Sequence, residues 1–116
     1  RLKLVAPVFE KYIPIVRAIN YAGWEPVTNA SVDNSQVLIE RWGSDIKKGL
    51  YFTLYNQSDS PVSCRVNMNI SALKTILPTS AIEMLSGENL ETINTGSTCS
   101  FKVNIQSKRT VAIKLR

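Results

Sequence analysis

The stretch that most constrains this chain is residues 49–70, GLYFTLYNQSDSPVSCRVNMNI. In an extended chain Phe52 and Leu54 fall on one face, with Tyr51, Thr53 and Tyr55 on the other. Past a polar turn, Cys64, Val66, Met68 and Ile70 alternate with Arg65, Asn67 and Asn69. Strand side chains alternate with period two, so both segments predict strands with one buried and one wetter face. On a helix, apolar residues at every second position would wrap the axis all round, which excludes an amphipathic helix here. Between the strands, residues 56–61 supply Asn, Ser and Asp side chains that bond their own backbone, then a φ-fixing Pro61. The pair reads as a hairpin.

Residues 7–22, PVFEKYIPIVRAINYA, are the one helical segment. Val8, Tyr12, Ile15, Ile19 and Ala22, flanked by Phe9 and Val16, make one apolar stripe at helical spacing. Gly23 is placed to end the helix in a left-handed conformation. Pro14 either kinks the helix or begins it as its first residue. The stripe needs a surface, either the sandwich or a neighbouring domain. The sequence thus divides into a helix and linker over 1–26 and a β-domain over 27–116. The opening Arg1 gives the expectation of a piece cut from a longer chain.

Further strands are expected near 27–32, over VLIERW (37–42) up to Gly43, over 81–86 up to Gly87, and near 90–93. Two more lie over 99–105 and 111–115, where Cys99, Phe101, Val103 and Ile105 alternate with Lys102 and Asn104. Leu73, Ile76 and Leu77 are expected to tuck under the sheets. Seven or eight strands at intervals of about 8–12 residues predict an all-β, antiparallel, two-sheet sandwich of Greek-key type behind one N-terminal helix.

The net charge of +5 is uneven: residues 1–91 hold 9 basic and 9 acidic side chains, whereas 92–116 hold Lys102, Lys108, Arg109, Lys114 and Arg116 and no acid. An anion-binding patch has this form, but no aromatic residues interleave for stacking on bases, so we read these charges as protection of sheet edges. Neither a nucleic-acid nor a membrane partner is expected, and no apolar run approaches the roughly 18 residues of a spanning helix. Cys64 and Cys99 both take apolar-face positions. We read them as buried free thiols, with a disulfide as the alternative.

There is no histidine, which excludes the Ser-His-Asp and Cys-His constellations and an ordinary zinc site. The nine acids fall mostly in loops or at outward positions, so no catalytic residue, cofactor site or metal site is assigned. Trp24, Trp42, Tyr51 and Tyr55 are candidate stacking residues for sugar rings. The plainer reading packs Trp24 in the joint between helix and sandwich and sets Trp42 as a plug at its strand end. Asn29-Ala30-Ser31, Asn56-Gln57-Ser58 and Asn69-Ile70-Ser71 match the glycan-acceptor pattern, which nine asparagines among many Ser and Thr produce by chance.

The segment FEKYIPIVRAINYAGWEPVTNA resembles the chain leaving the barrel of a (β/α)-barrel glycoside hydrolase for its C-terminal β-sandwich. VLIERWG followed by GLYFTLYNQS is similar to paired strands of such domains, and SFKVNIQSKRTVAIKLR to their closing hairpin, here without Gly or Pro in the turn. The resemblance implies a non-catalytic accessory domain whose partner is the upstream catalytic barrel, with carbohydrate as a second candidate partner. No catalytic residue carries over, because the family keeps those on the barrel.

Overall fold

A computed structural model describes residues 6–73 and 75–116, with side chains from residue 12 onward. One helix, α1 (Ala6–Ala22), precedes ten strands: β1 (Trp24–Glu25), β2 (Ala30–Val32), β3 (Val37–Asp45), β4 (Gly49–Asn56), β5 (Val62–Asn69), β6 (Ala81–Glu83), β7 (Asn89–Leu90), β8 (Ile93–Thr95), β9 (Thr98–Ile105) and β10 (Thr110–Leu115). They form a six-stranded sheet, β1-β3-β4-β10-β6-β7, and a four-stranded sheet, β2-β5-β9-β8. Every strand pairing is antiparallel. The expected two-sheet sandwich is therefore present, with ten strands in place of seven or eight. The additions are β1 and the division of the expected 90–93 strand into β7 and β8, segments of two or three residues that are too short to show a period.

The inner faces follow the predicted alternation. Phe52, Leu54, Val66, Met68, Cys99, Phe101 and Ile105 are fully or almost fully buried and belong to one inter-sheet core. Leu73 joins it, but Ile76 and Leu77 are exposed, and the neighbouring residue buried in this segment is Pro78. Burying apolar area contributes about 25 cal/mol per Å², so these side chains supply the main drive for folding.

The β4–β5 unit is not a hairpin. β4 pairs with β3 and β10 in one sheet, while β5 pairs with β2 and β9 in the other. The connection over 57–61 is an arch that carries the chain across the core. The closing unit behaves likewise, since β9 and β10 lie in different sheets. Two strands that each bury one face bury both when set opposite one another at the spacing of about 10 Å between packed sheets. The second arch turns at Lys108, whose φ is +58°, so lysine takes the left-handed position that glycine would fill.

Pro14 lies inside α1 and does not begin it. The carbonyl four residues upstream loses its intrahelical donor, a loss tolerable in a helix with one side in solvent. Gly23, at φ +93°, ends the helix as expected, with its N–H donating to the carbonyl of Ile19 (3.1 Å). β3 continues past Trp42 through a bulge to Asp45, beyond the expected stop at Gly43. Gly43 sits at φ +82°, and a Cβ there would lie 2.1 Å from the carbonyl oxygen of Gly49. The bulge therefore requires glycine, and this residue continues a strand that it was expected to end. β6 stops at Glu83, short of the expected 86, because both Glu83 carboxylate oxygens accept main-chain N–H groups, from Leu85 (3.2 Å) and Ser86 (2.8 Å), and turn the chain.

Candidate functional site

Helix α1 packs on β3 and β4. Of its predicted stripe, Ile19 is buried and Ile15 and Ala22 are half-buried, while Tyr12 and Val16 are exposed. The side chains of Val8 and Phe9 lie outside the described residues. Ile19 and Tyr51 are buried but stand apart from the inter-sheet core, marking a second, smaller apolar contact. Six of the ten exposed large apolar side chains among the described residues are Tyr12, Ile13, Val16, Tyr21, Trp24 and Val27, all within one sixteen-residue arm. Helical spacing announced Tyr12 and Val16. Nothing announced Tyr21, which is 91% exposed.

The arm is fastened to the sandwich at two points. The Gly43 N–H donates to the carbonyl of Gly23 at 2.7 Å, beside the pairing of Trp24 with Trp42. Residues 24–25, which the sequence assigns to the linker, thus become an edge strand. Arg41, 4% exposed on the inner side of β3, makes the second fastening. Its Nε donates to the carbonyl of Thr28 (3.0 Å) and its Nη2 to that of Val27 (2.8 Å). Nη1 donates to the carbonyl of Gly43 and to Ser44 Oγ. Burial lowers the guanidinium from its ordinary value and nearby Glu25 raises it, yet arginine stays charged in proteins. This one side chain holds the crossover from β1 to β2 against the bulge of β3.

The four candidate aromatics share the outer face of the six-stranded sheet but do not form one platform. Register places Trp24, Trp42, Tyr51 and Lys114 in a single cross-strand row. Tyr55 lies four residues further along β4, about 13 Å away at strand spacing. Trp24 is half-exposed on its edge strand, not packed into the joint. Trp42 is half-buried, and its Nε1 donates to Thr53 Oγ1 (3.0 Å) in mid-strand, so it plugs no strand end. Tyr51 is 7% exposed and offers no face to a ligand.

The five C-terminal charges are dispersed. Lys102 points outward from the four-stranded sheet and Lys114 outward from the other, on opposite faces of the sandwich. Lys108 pairs with Asp59 at 3.6 Å, and Arg116 donates to Asn89 Oδ1 at 2.6 Å. No anion-binding surface is assembled from them. Among the glycan-acceptor matches, Asn56 is fully buried.

Cys64 and Cys99 are free and buried. Register sets Cys64 opposite Val103 and Cys99 opposite Met68, about 13 Å apart along the sheet and well outside the range of about 4.4–6.8 Å that a disulfide spans. Burial pushes the Cys99 thiol up to about 11; burial and then Asp33 raise that of Cys64. A raised folded-state value favours the neutral thiol, so this contribution to stability is present below 9 and is lost as pH climbs towards 11. Both thiols are expected to resist an aromatic disulfide reagent at pH 8 in the folded protein and to react stoichiometrically in denaturant. Rapid labelling of the native chain would contradict their placement. No protein-family model and no curated protein matches the chain.

Proposed function

We propose that this chain is a non-catalytic β-sandwich accessory domain of a carbohydrate-active enzyme, a glycoside hydrolase, and that it packs on the catalytic barrel through its N-terminal arm. The observation that carries the docking role is the concentration of exposed apolar side chains between Tyr12 and Val27. Exposed apolar side chains gathered on one short segment point to an interaction site, whereas single ones scattered over a surface are ordinary. Arg41 and the Gly23–Gly43 bond fix the arm to the sandwich, so a domain held by the arm is also held by the sandwich. The glycoside hydrolase reading is supported by the resemblance of residues 9–30, 37–43, 49–58 and 100–116 to the C-terminal domains of that family.

The test uses the full parent enzyme and the 116-residue chain side by side. Tyr12→Asp with Val16→Asp costs the isolated chain about 1 kcal/mol or less, because neither side chain belongs to the core and each is already 40% or more exposed. In the parent the same pair removes roughly 2 kcal/mol of interface and lowers the melting temperature of the barrel by several degrees. An unchanged melting temperature and unchanged glycan hydrolysis in the parent would refute the docking role.

A second reading, a carbohydrate-binding module using exposed aromatics, is favoured by the exposure of Trp24, 54%, beside Trp42. Calorimetric titration with polysaccharides tests it, with binding lost in Trp24→Ala or Trp42→Ala.

A further inference from the structure

We infer that the outer face of the six-stranded sheet carries a binding groove for a neutral pyranose, centred on Tyr55. The choice of ligand class rests on the second reading above; the location does not. Beyond the Trp42–Tyr51 row, a groove of about 280 Å³ is lined by Leu38, Glu40, Thr53, Leu54, Tyr55 and Thr110. Its floor is set by register. Leu38 and Thr110 both pair with Tyr55, and Glu40 pairs with Thr53 one step along the same face. The Leu54 side chain belongs to the core beneath, and the other five side chains stand on β3, β4 and β10, so the groove is pre-formed and binding requires no ordering of loops.

The lining matches the two sides of a sugar ring. Tyr55 is half-buried and Leu38 is 52% exposed, which together offer an apolar plate to the C–H face. Polar groups stand on one flank. The Glu40 carboxylate makes no hydrogen bond or ion pair with any described residue, so both oxygens are open to a pair of adjacent hydroxyls. Thr53 Oγ1 already accepts from Trp42 Nε1, which directs its own O–H to donate elsewhere. The Glu40 charge would repel a phosphate or carboxylate ligand, whereas it accepts hydrogen bonds from the hydroxyls of a neutral polyol.

The experiment is a ¹⁵N–¹H titration of the 116-residue chain with cellohexaose, mannohexaose, laminarihexaose and xylohexaose in turn. The expected result is saturable shifts at Leu38, Glu40, Thr53, Tyr55 and Thr110 with at least one of them. Tyr55→Ala should weaken that binding by at least about tenfold and Tyr55→Phe should preserve it. Leu38→Arg blocks the groove from an exposed position and leaves the core intact, so it should abolish the shifts even if Tyr55→Ala folds poorly. Shifts confined to Trp24 and Trp42 would overturn this site and leave the second reading standing. Silence with all four sugars would overturn both, while the docking of the arm, tested in the parent, would be untouched.

Discussion

Arg41→Ala is expected to melt about 12 °C or more below the wild-type chain. The guanidinium is almost fully buried and satisfies three carbonyls and a hydroxyl with four donated bonds. Removing the donor strands these acceptors, and each one left without a partner costs about 1–3 kcal/mol where water cannot reach it. Val27 and Thr28 are partly solvated, so water recovers some of that loss, and a net cost of about 3 kcal/mol is expected. For a domain of this size that is about 4 °C per kcal/mol. Arg41→Lys should recover less than half, because a single ammonium cannot span acceptors on both the crossover and the bulge. Amide exchange should quicken at 28–32 and at Gly43 in the alanine variant before it does so in β5 or β9. Thermal scans of the three proteins decide the matter: a lysine variant as stable as wild type would mean that charge alone, not the fork, holds the crossover.

Arg41 also shows where sequence reading stops. Alternation sees apolar residues, and VLIERW presents Val37 and Ile39 on the inner side with Arg41 following in register. A charge at the third inward position looks like the end of a buried strand. The structure instead buries the charge and supplies its acceptors from residues 27–28, thirteen and fourteen positions earlier. Long-range satisfaction of this kind leaves no local signature. The same limit hid the arches. Period two reports that one face of β4 and one face of β5 are buried, which is true of two strands side by side and equally of two strands set opposite. What selects the arch is the pairing of β4 with β10 and of β5 with β9, and that depends on residues 29 to 63 positions away.

The candidate site was legible to a similar depth. The helical stripe located Tyr12 and Val16, and among its described residues the sandwich covers the Ile15–Ile19–Ala22 side. For Tyr51 and Tyr55, though not for Trp24 or Trp42, the shared face was legible from alternation. Their distribution along that face was not, because four residues of separation and the packing of Tyr51 over Gly49 appear only once strands and helix are assembled. Leu38 and Glu40 read as ordinary outward residues until register put them beside Tyr55.

Asn56→Asp should be more damaging at neutral pH than at acid pH, and the sign tests the link that Asn56 makes between the two arches. Asn56 ends β4 with no exposed surface. Its Nδ2 donates to the carbonyls of Ser60 (2.8 Å), Ile105 (3.0 Å) and Gln106 (3.3 Å), and its Oδ1 accepts from the N–H (2.9 Å) and hydroxyl (2.7 Å) of Ser58. One amide therefore ties the β4–β5 arch to the β9–β10 arch. Replacing the NH₂ with a carboxylate oxygen keeps the shape and turns three attractive contacts into repulsive ones around a buried charge. The cost at pH 7 is expected to be about 4 kcal/mol, or about 15 °C in melting temperature. Burial among carbonyls raises the folded-state value of the new acid above its unfolded value of about 3.9. A group raised in this way is least harmful below its unfolded value, where it is neutral in both states, and grows more harmful as pH rises through the folded value. The deficit relative to wild type should therefore shrink on acidification towards pH 4, where the protonated acid can still donate one bond. Asn56→Ala, which cannot titrate, should show a deficit of about 3 kcal/mol that does not change with pH. Parallel melting curves of the aspartate and alanine variants over the whole pH range would show that the two arches are not held together by this amide.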